Sequence, residues 1–106
     1  MSADIWLEHG GDTVVVDDTT FNLTYNLTPM LCAAGMPAWS EFIGMRAGDA
    51  GPIWQSVADE LRRDPDRYKD LNPPNGWGDY DGAVEVISAL AAACAKHPDA
   101  TVGGWL

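Results

Sequence analysis

The sequence predicts a single α+β domain in which a small antiparallel sheet packs against three or four helices. Three observations support this fold class. Alternating or β-branched segments lie near both ends of the chain, and apolar residues at helical spacings of three and four fill the middle. The chain has 106 residues, 46% of them hydrophobic and five of them Trp, which is enough to bury one core. We therefore expect residues 1–106 to form one domain.

The predicted sheet consists of an N-terminal hairpin and a C-terminal strand. Residues 3–8 alternate weakly between apolar and polar positions, and Trp6 interrupts the polar side. The β-branched segment 13–17 follows a Gly-Gly turn and is expected to return antiparallel to the first strand. Residues 101–106 are expected to add a third strand, because an isolated hairpin is only marginally stable. Strands near both ends leave a sheet edge with which a second copy can pair, so a homo-oligomer is possible.

A strictly alternating segment, residues 21–28, precedes the first helix. If this segment is extended, its apolar and aromatic side chains project to one side and its polar side chains to the other. The polar side chains are Asn22, Thr24 and Asn26. Thr28-Pro29 then predicts a helix start, with a hydroxyl at the N-cap and Pro at the first helical position. This short helix is expected to stop near Gly35.

Further helices are predicted by apolar stripes and by cap residues. They are expected over residues 38–45, 52–63 and 81–96, with one short turn from Asp64-Pro65 to Leu71. The last helix follows a rigid turn that is rich in Pro, Gly and aromatic residues. Asp79 lies where this turn enters the helix, and its carboxylate is placed to cap the free N–H groups there.

The charge balance excludes several classes of partner. Sixteen acidic and six basic residues give a net charge of −10, whereas nucleic acid and anionic membranes attract clustered cations. Imitation of a phosphate backbone by the scattered acidic residues is a less favoured alternative. The sequence has no apolar run of the roughly twenty residues that span a bilayer, and no signal peptide pattern. We expect an intracellular protein with reduced thiols at Cys32 and Cys94.

Patterns for catalysis and metal binding are missing from the sequence. There is no His-x-x-x-His or Cys-x-x-Cys pair, no phosphate-binding Gly-rich loop and no nucleophile elbow. His9 and His97 occupy a Gly turn and a helix end, which are ordinary surface positions. We therefore predict no catalytic residue, no metal site and no cofactor. An enzyme that uses Asp79, Tyr80 or His9 is the weakest alternative.

Two clusters of neutral polar and aromatic side chains remain, one early and one late in the chain. We predict that they meet and line a small-molecule pocket, in which a few polar groups orient a ligand over apolar walls. The predicted ligand-binding residues are Asn22, Thr24, Asn26, Asn72, Asn75, Trp77 and Tyr80. The alternative is structural: the Asn side chains satisfy backbone groups in turns, and Trp77 and Tyr80 pack on the last helix.

The same two clusters carry a resemblance to known proteins. Asn-Leu-Thr-Tyr-Asn-Leu at 22–27 with Met30, and Leu-Asn-Pro followed by Asn-Gly-Trp-Gly-Asp-Tyr within 71–80, resemble a family of small uncharacterised proteins of bacteriophages, including those of actinobacteria, and of some bacteria. The likeness spans the chain from residue 20 onward. It implies a phage accessory protein in the host cytoplasm and no particular chemistry. Tyr25 stands where relatives carry a His, which removes the general base that the segment would otherwise offer.

Two functions follow from these expectations. The first is a non-enzymatic accessory protein that binds a small host metabolite or signalling molecule in the predicted pocket. The second is an interaction module that binds and modulates a host protein through an acidic or aromatic surface. Exposed aromatic rings in a cluster would favour the second function, whereas buried rings around a cleft would favour the first.

Overall fold

A computed structural model of the protein describes residues 2–8, 20–73, 76 and 78–106. Within these residues three antiparallel strands pack against five helices, which confirms the predicted α+β class. The strands are β1 Ser2–Glu8, β2 Phe21–Thr24 and β3 Thr101–Trp105. The helices are α1 Thr28–Ala33, α2 Trp39–Phe42, α3 Ala47–Arg63, α4 Pro65–Lys69 and α5 Tyr80–Lys96.

The first strand is the centre of the sheet, in the order β2-β1-β3. Its alternation is clean: Ala3, Ile5 and Leu7 are buried, while the residues between them are half-buried. Leu23 lies opposite Ala3 and Val102 lies opposite Leu7, and both of these partners are also buried. Because residues that face each other across antiparallel strands share one side of the sheet, a single apolar face results. The helices cover this inner face.

The second strand lies in the first half of the alternating segment 21–28. The predicted return strand, 13–17, lies outside the described residues. Alternation holds through Thr24, after which the chain folds into a 3-10 turn, Tyr25–Leu27. The Thr24 hydroxyl oxygen accepts a hydrogen bond from the backbone N–H of Asn26 at 3.3 Å, which bends the chain out of the sheet. Asn26 therefore does not continue the row that Asn22 and Thr24 begin.

The helices are confirmed as elements, but their ends differ from the predicted ones. Thr28 is the first residue of α1, and Leu27 instead of Thr28 occupies the N-cap position. The helix predicted over 38–45 stops at Phe42, because Gly44 adopts a φ of +86° that a helix does not accommodate. The chain from Gly44 then runs beside β3.

The third helix begins at Ala47, five residues before the predicted start at Pro52. The first N–H groups of a helix have no partner within the helix. Here the N–H groups of Ala47 and Gly48 donate to the carbonyls of Ala100 and Pro98, at 2.7 and 2.9 Å. The turn between α5 and β3 therefore supplies the acceptors that let α3 start early.

The core lies between α3, α5 and the sheet. Small side chains allow the two long helices to approach closely, and a methyl group at Gly51 would lie 2.8 Å from Cβ of Cys94. The buried residues of the two helices are Ala47, Ala50, Gly51, Trp54, Val57, Ala58, Leu61, Tyr80, Ala83, Ile87, Leu90, Ala91 and Cys94. No helix among the described residues is long and apolar enough to cross a membrane.

Candidate binding surface

The early polar residues bond mainly to the protein's own groups. Asn22 is exposed on β2, and its amide nitrogen donates to Asp4 Oδ1 at 2.7 Å and to Ser2 Oγ at 3.0 Å. The side-chain amide of Asn26 donates to Thr24 Oγ1 at 3.1 Å. Asn22 therefore belongs to the sheet surface, whereas Thr24 and Asn26 organise the turn that leads into α1.

The late cluster holds the start of α5. Asn72 Oδ1 accepts a hydrogen bond from the backbone N–H of Tyr80 at 2.8 Å, and Asp79 Oδ1 accepts one from Gly82 at 2.7 Å. The hydroxyl of Tyr80 is buried and donates to the carbonyl of Leu61 at 2.7 Å. Asn72 and Tyr80 thus have structural contacts. Asn75 and Trp77 lie outside the described residues.

The segments that carry the two clusters are in contact at Gly78. A methyl group at this glycine would lie 2.8 Å from Cγ2 of Thr24 and 3.1 Å from Cγ of Leu27, and its φ of +96° also favours glycine. Gly78 therefore packs directly on the 3-10 turn. At this described contact, backbone fits closely against side chains. Ligand binding by the seven predicted residues stays a prediction.

The face of the sheet turned away from the helices, which we call the outer face, carries aromatic and acidic side chains. It consists of Ser2, Asp4, Trp6 and Glu8 on β1, Asn22 and Thr24 on β2, and Thr101, Gly103 and Trp105 on β3. Trp105 is 75% exposed and lies opposite Asp4. Trp6 lies opposite Gly103, so Trp6 and Trp105 are diagonal neighbours, with Cα atoms about 7–8 Å apart.

The ring of Trp6 is held in place on the outer face. Its indole N–H donates to Glu8 Oε1 at 2.7 Å. A methyl group at Gly103 would lie 2.5 Å from this indole nitrogen. The absence of a side chain at Gly103 therefore allows the ring of Trp6 to pack over β3. Trp6 was visible in the sequence as an interruption of the polar side of the first strand. No sequence pattern marks Trp105 in this way, because its spatial neighbours on β1 depend on how β1 pairs with β3.

A groove of about 440 Å³ lies elsewhere, between the start of α3 and the end of α5. It is lined by Ala47, Gly48, Gly51, Pro52, Gln55, Ala91, Cys94, Ala95 and Pro98. The lining is apolar apart from the Gln55 amide, which donates to Asp59 Oδ1 at 2.9 Å. Burial raises the pKa of the Cys94 thiol to about 11, so this thiol is protonated and unreactive near neutral pH. None of the five predicted binding residues that the structure describes lines this groove.

The buried aromatic rings of the core pack on one another. Phe42 stacks on Trp54 with ring centres 4.5 Å apart, and Trp39 lies 6.2 and 6.5 Å from these two rings. The indole nitrogens of Trp39 and Trp54 are buried without a hydrogen-bond partner among the described residues. These three rings are not part of the groove lining. The arrangement is that of a core, and the exposed ring of Trp105 belongs to the outer face.

The charged residues at the end of α3 pair with each other. The Arg63 guanidinium bonds to the Glu60 carboxylate at 2.9–3.0 Å, which lowers the pKa of Glu60 and raises that of Arg63. Burial raises the pKa of Tyr68, and the nearby Glu60 carboxylate adds to this rise. The Tyr68 hydroxyl is nevertheless without a well-aligned hydrogen bond within the described part of the chain. Ion pairing and burial account for these shifts.

The described residues that were considered for catalysis, Asp79, Tyr80 and His97, lie at the two ends of α5. Asp79 caps α5, and His97 is the residue that ends the same helix. His9 lies outside the described residues. Within the described ranges, no group of three or more His, Cys, Asp and Glu side chains is placed to hold a metal ion.

Comparisons with protein-family models, with curated protein sequences and with solved structures find no match for this chain. The resemblance to bacteriophage proteins therefore stays a prediction that rests on residues 22–27 and 71–80.

Proposed function

We propose that this chain is a non-enzymatic interaction module that binds another protein through the outer face of its sheet. The observation that carries this proposal is Trp105, a large apolar ring that is 75% exposed beside a second, half-buried indole at Trp6. Exposing a ring of this size to water is unfavourable, and Trp is enriched among the residues that contribute most to protein–protein binding. A partner that covers both rings would remove this unfavourable exposure.

The charge of the outer face defines the partner's chemistry. The three strands contain Asp4 and Glu8 but no Lys or Arg. Arg46 is paired with Thr101 at the margin of the sheet, and its guanidinium is bonded to Asp99 at 3.1 Å. With a net charge of −10 on the whole chain, the face attracts a basic surface and repels a second copy of itself. The partner is therefore a protein whose contact surface combines basic side chains with apolar area.

The resemblance to bacteriophage proteins supports a biological setting for this partner. If the chain is a phage accessory protein, it acts in the host cytoplasm, and the partner is a host protein whose activity it modulates. This setting rests on the two sequence segments, whereas the binding surface rests on Trp6, Trp105 and their acidic neighbours.

Affinity capture from a bacterial lysate tests the proposal. The full chain, its Trp105→Ser variant and the control variant Leu71→Ser would be immobilised in parallel. Leu71 is a suitable control because it is another exposed apolar residue, at 37%, and lies far from the strands in sequence. We expect one basic protein to bind the native chain and the control, and its affinity for Trp105→Ser to fall by at least about thirtyfold. Equal capture by all three chains would exclude the outer face as the contact.

The groove between α3 and α5 favours small-molecule binding as a second candidate function. Its volume of about 440 Å³ lies within the usual range of ligand pockets, and its apolar lining suits a neutral molecule. A host metabolite or signalling molecule of this kind would bind in the groove. The alternative binding site is the pocket predicted from the seven polar and aromatic residues.

Thermal-shift measurements with a panel of neutral metabolites and nucleosides test this second function. Ala95 and Ala92 are both exposed on α5, but only Ala95 lines the groove. Ala95→Trp would therefore fill the groove, and Ala92→Trp is the matched control. Stabilisation by a compound that is lost only in Ala95→Trp would support binding in the groove. Loss in Asn26→Ala instead would support the predicted pocket, and no stabilisation of the native chain would remove this function.

A further inference from the structure

We propose that the outer face recognises an arginine side chain of the partner, held between the rings of Trp6 and Trp105 and bonded to the carboxylate of Asp4. This inference rests on the proposed function and names the group that the face would bind.

The register of the sheet brings the required groups together. Asp4 lies directly opposite Trp105 and two positions from Trp6 on the same strand, so one carboxylate is flanked by two indoles. The indole of Trp6 is fixed by its hydrogen bond to Glu8, which lies on the same face. Two indoles and two carboxylates therefore occupy neighbouring positions on one face of the sheet.

These groups favour a cation that also has a flat face. The negative face of an indole attracts a cation, and Trp is the strongest of the aromatic side chains in this respect. A guanidinium can stack on a ring and donate two hydrogen bonds to a carboxylate, whereas an ammonium acts as a compact point charge. Asp4 Oδ1 accepts from Asn22 at 2.7 Å, and no donor among the described residues bonds to its other oxygen, so a guanidinium can place one N–H on each carboxylate oxygen. Arginine fits this arrangement better than lysine.

A peptide titration followed by NMR tests the inference directly. The probe is a short peptide with one Arg between apolar residues, and its control carries citrulline, which has the shape of Arg without the charge. We expect the indole N–H signals of Trp6 and Trp105 to shift with the arginine peptide at millimolar concentrations or below, and to shift at least about tenfold more weakly with citrulline. Equal binding of the two peptides, or no shift of these signals, would overturn the inference.

Asp4→Asn separates this inference from the proposed function. Asn keeps an oxygen that can accept from Asn22 and removes the charge, so the fold should be preserved. Glu85→Gln removes a charge from the exposed side of α5 and is the matched control. We expect Asp4→Asn to weaken arginine-peptide binding about tenfold and Glu85→Gln to leave it within twofold. If the partner protein still depends on Trp105 but binds Asp4→Asn normally, the arginine contact is wrong and the protein-binding function stands.

Discussion

At the scale of single residues, Asp79 and Asn72 hold the first turn of α5. Asp79 Oδ1 accepts from the N–H of Gly82, and Asn72 Oδ1 accepts from that of Tyr80. Both N–H groups belong to the first turn, where the helix offers no acceptor of its own. Asn72 and Asp79 therefore have a structural task that does not depend on any ligand.

We expect Asp79→Ala to lower the free energy of unfolding by about 1 kcal/mol, because it removes the N-cap acceptor. Asp79→Asn keeps a capping oxygen and removes the charge. It should therefore lower the free energy of unfolding by no more than a few tenths of the amount expected for Asp79→Ala. Urea unfolding of the three chains measures both values. Equal destabilisation by Ala and Asn would assign the effect to charge and contradict the capping role.

At the scale of elements, the contact between α3 and α5 decides where both helices lie. Gly51 lets α3 approach Cys94 so closely that a methyl group would collide with it. This contact buries the Cys94 thiol, which is 1% exposed, whereas Cys32 on α1 is exposed. Two cysteines with similar sequence neighbours thus have different surroundings.

Burial of Cys94 should make the protein less stable in alkali. Its pKa is raised from 9.0 to about 11, so between these values the unfolded chain loses a proton that the folded chain keeps. The folded state then binds more protons, and the free energy of unfolding falls as the pH rises through this window. The raised pKa of Tyr68 acts in the same direction.

Urea unfolding from about pH 8 to about pH 11 in the presence of a reducing agent measures this loss. We expect the free energy of unfolding to fall less with pH in Cys94→Ala than in the native chain. In Cys32→Ala it should fall as much as in the native chain. The readout is the slope against pH, so a constant loss of stability from the cavity in Cys94→Ala does not affect it. Identical slopes in all three chains would show that the Cys94 thiol does not contribute.

At the scale of the whole molecule, the sheet separates an apolar inner face from an acidic and aromatic outer face. The helices cover the inner face, so the rings of the core are already packed against the protein itself. Trp105, in contrast, is 75% exposed, and it lies on the same face as Asp4 and Glu8. The exposed ring of Trp105 and the half-buried ring of Trp6 thus lie on the side of the molecule where a partner can reach them, which is why we place the binding function there.

Local patterns predicted much of this fold. The alternation in residues 3–8 places Ala3, Ile5 and Leu7 on one face of a strand, and apolar stripes place the later helices. The segments that carry the two predicted clusters are in contact at Gly78 and Thr24, whereas a pocket formed by the cluster residues stays a prediction. The sequence did not predict the start of α3 at Ala47, because its first N–H groups bond to residues 98 and 100 of the chain.

The sequence by itself determined the α+β class, the acidic charge and the cap of α5, because each depends on composition or on neighbours a few residues apart. Only the tertiary structure decided that Trp105 lies opposite Asp4 and diagonal to Trp6, and that α3 and α5 leave a groove between them. These features depend on strand register and on helix approach. Both arise from contacts between residues far apart in the chain, which no local pattern records.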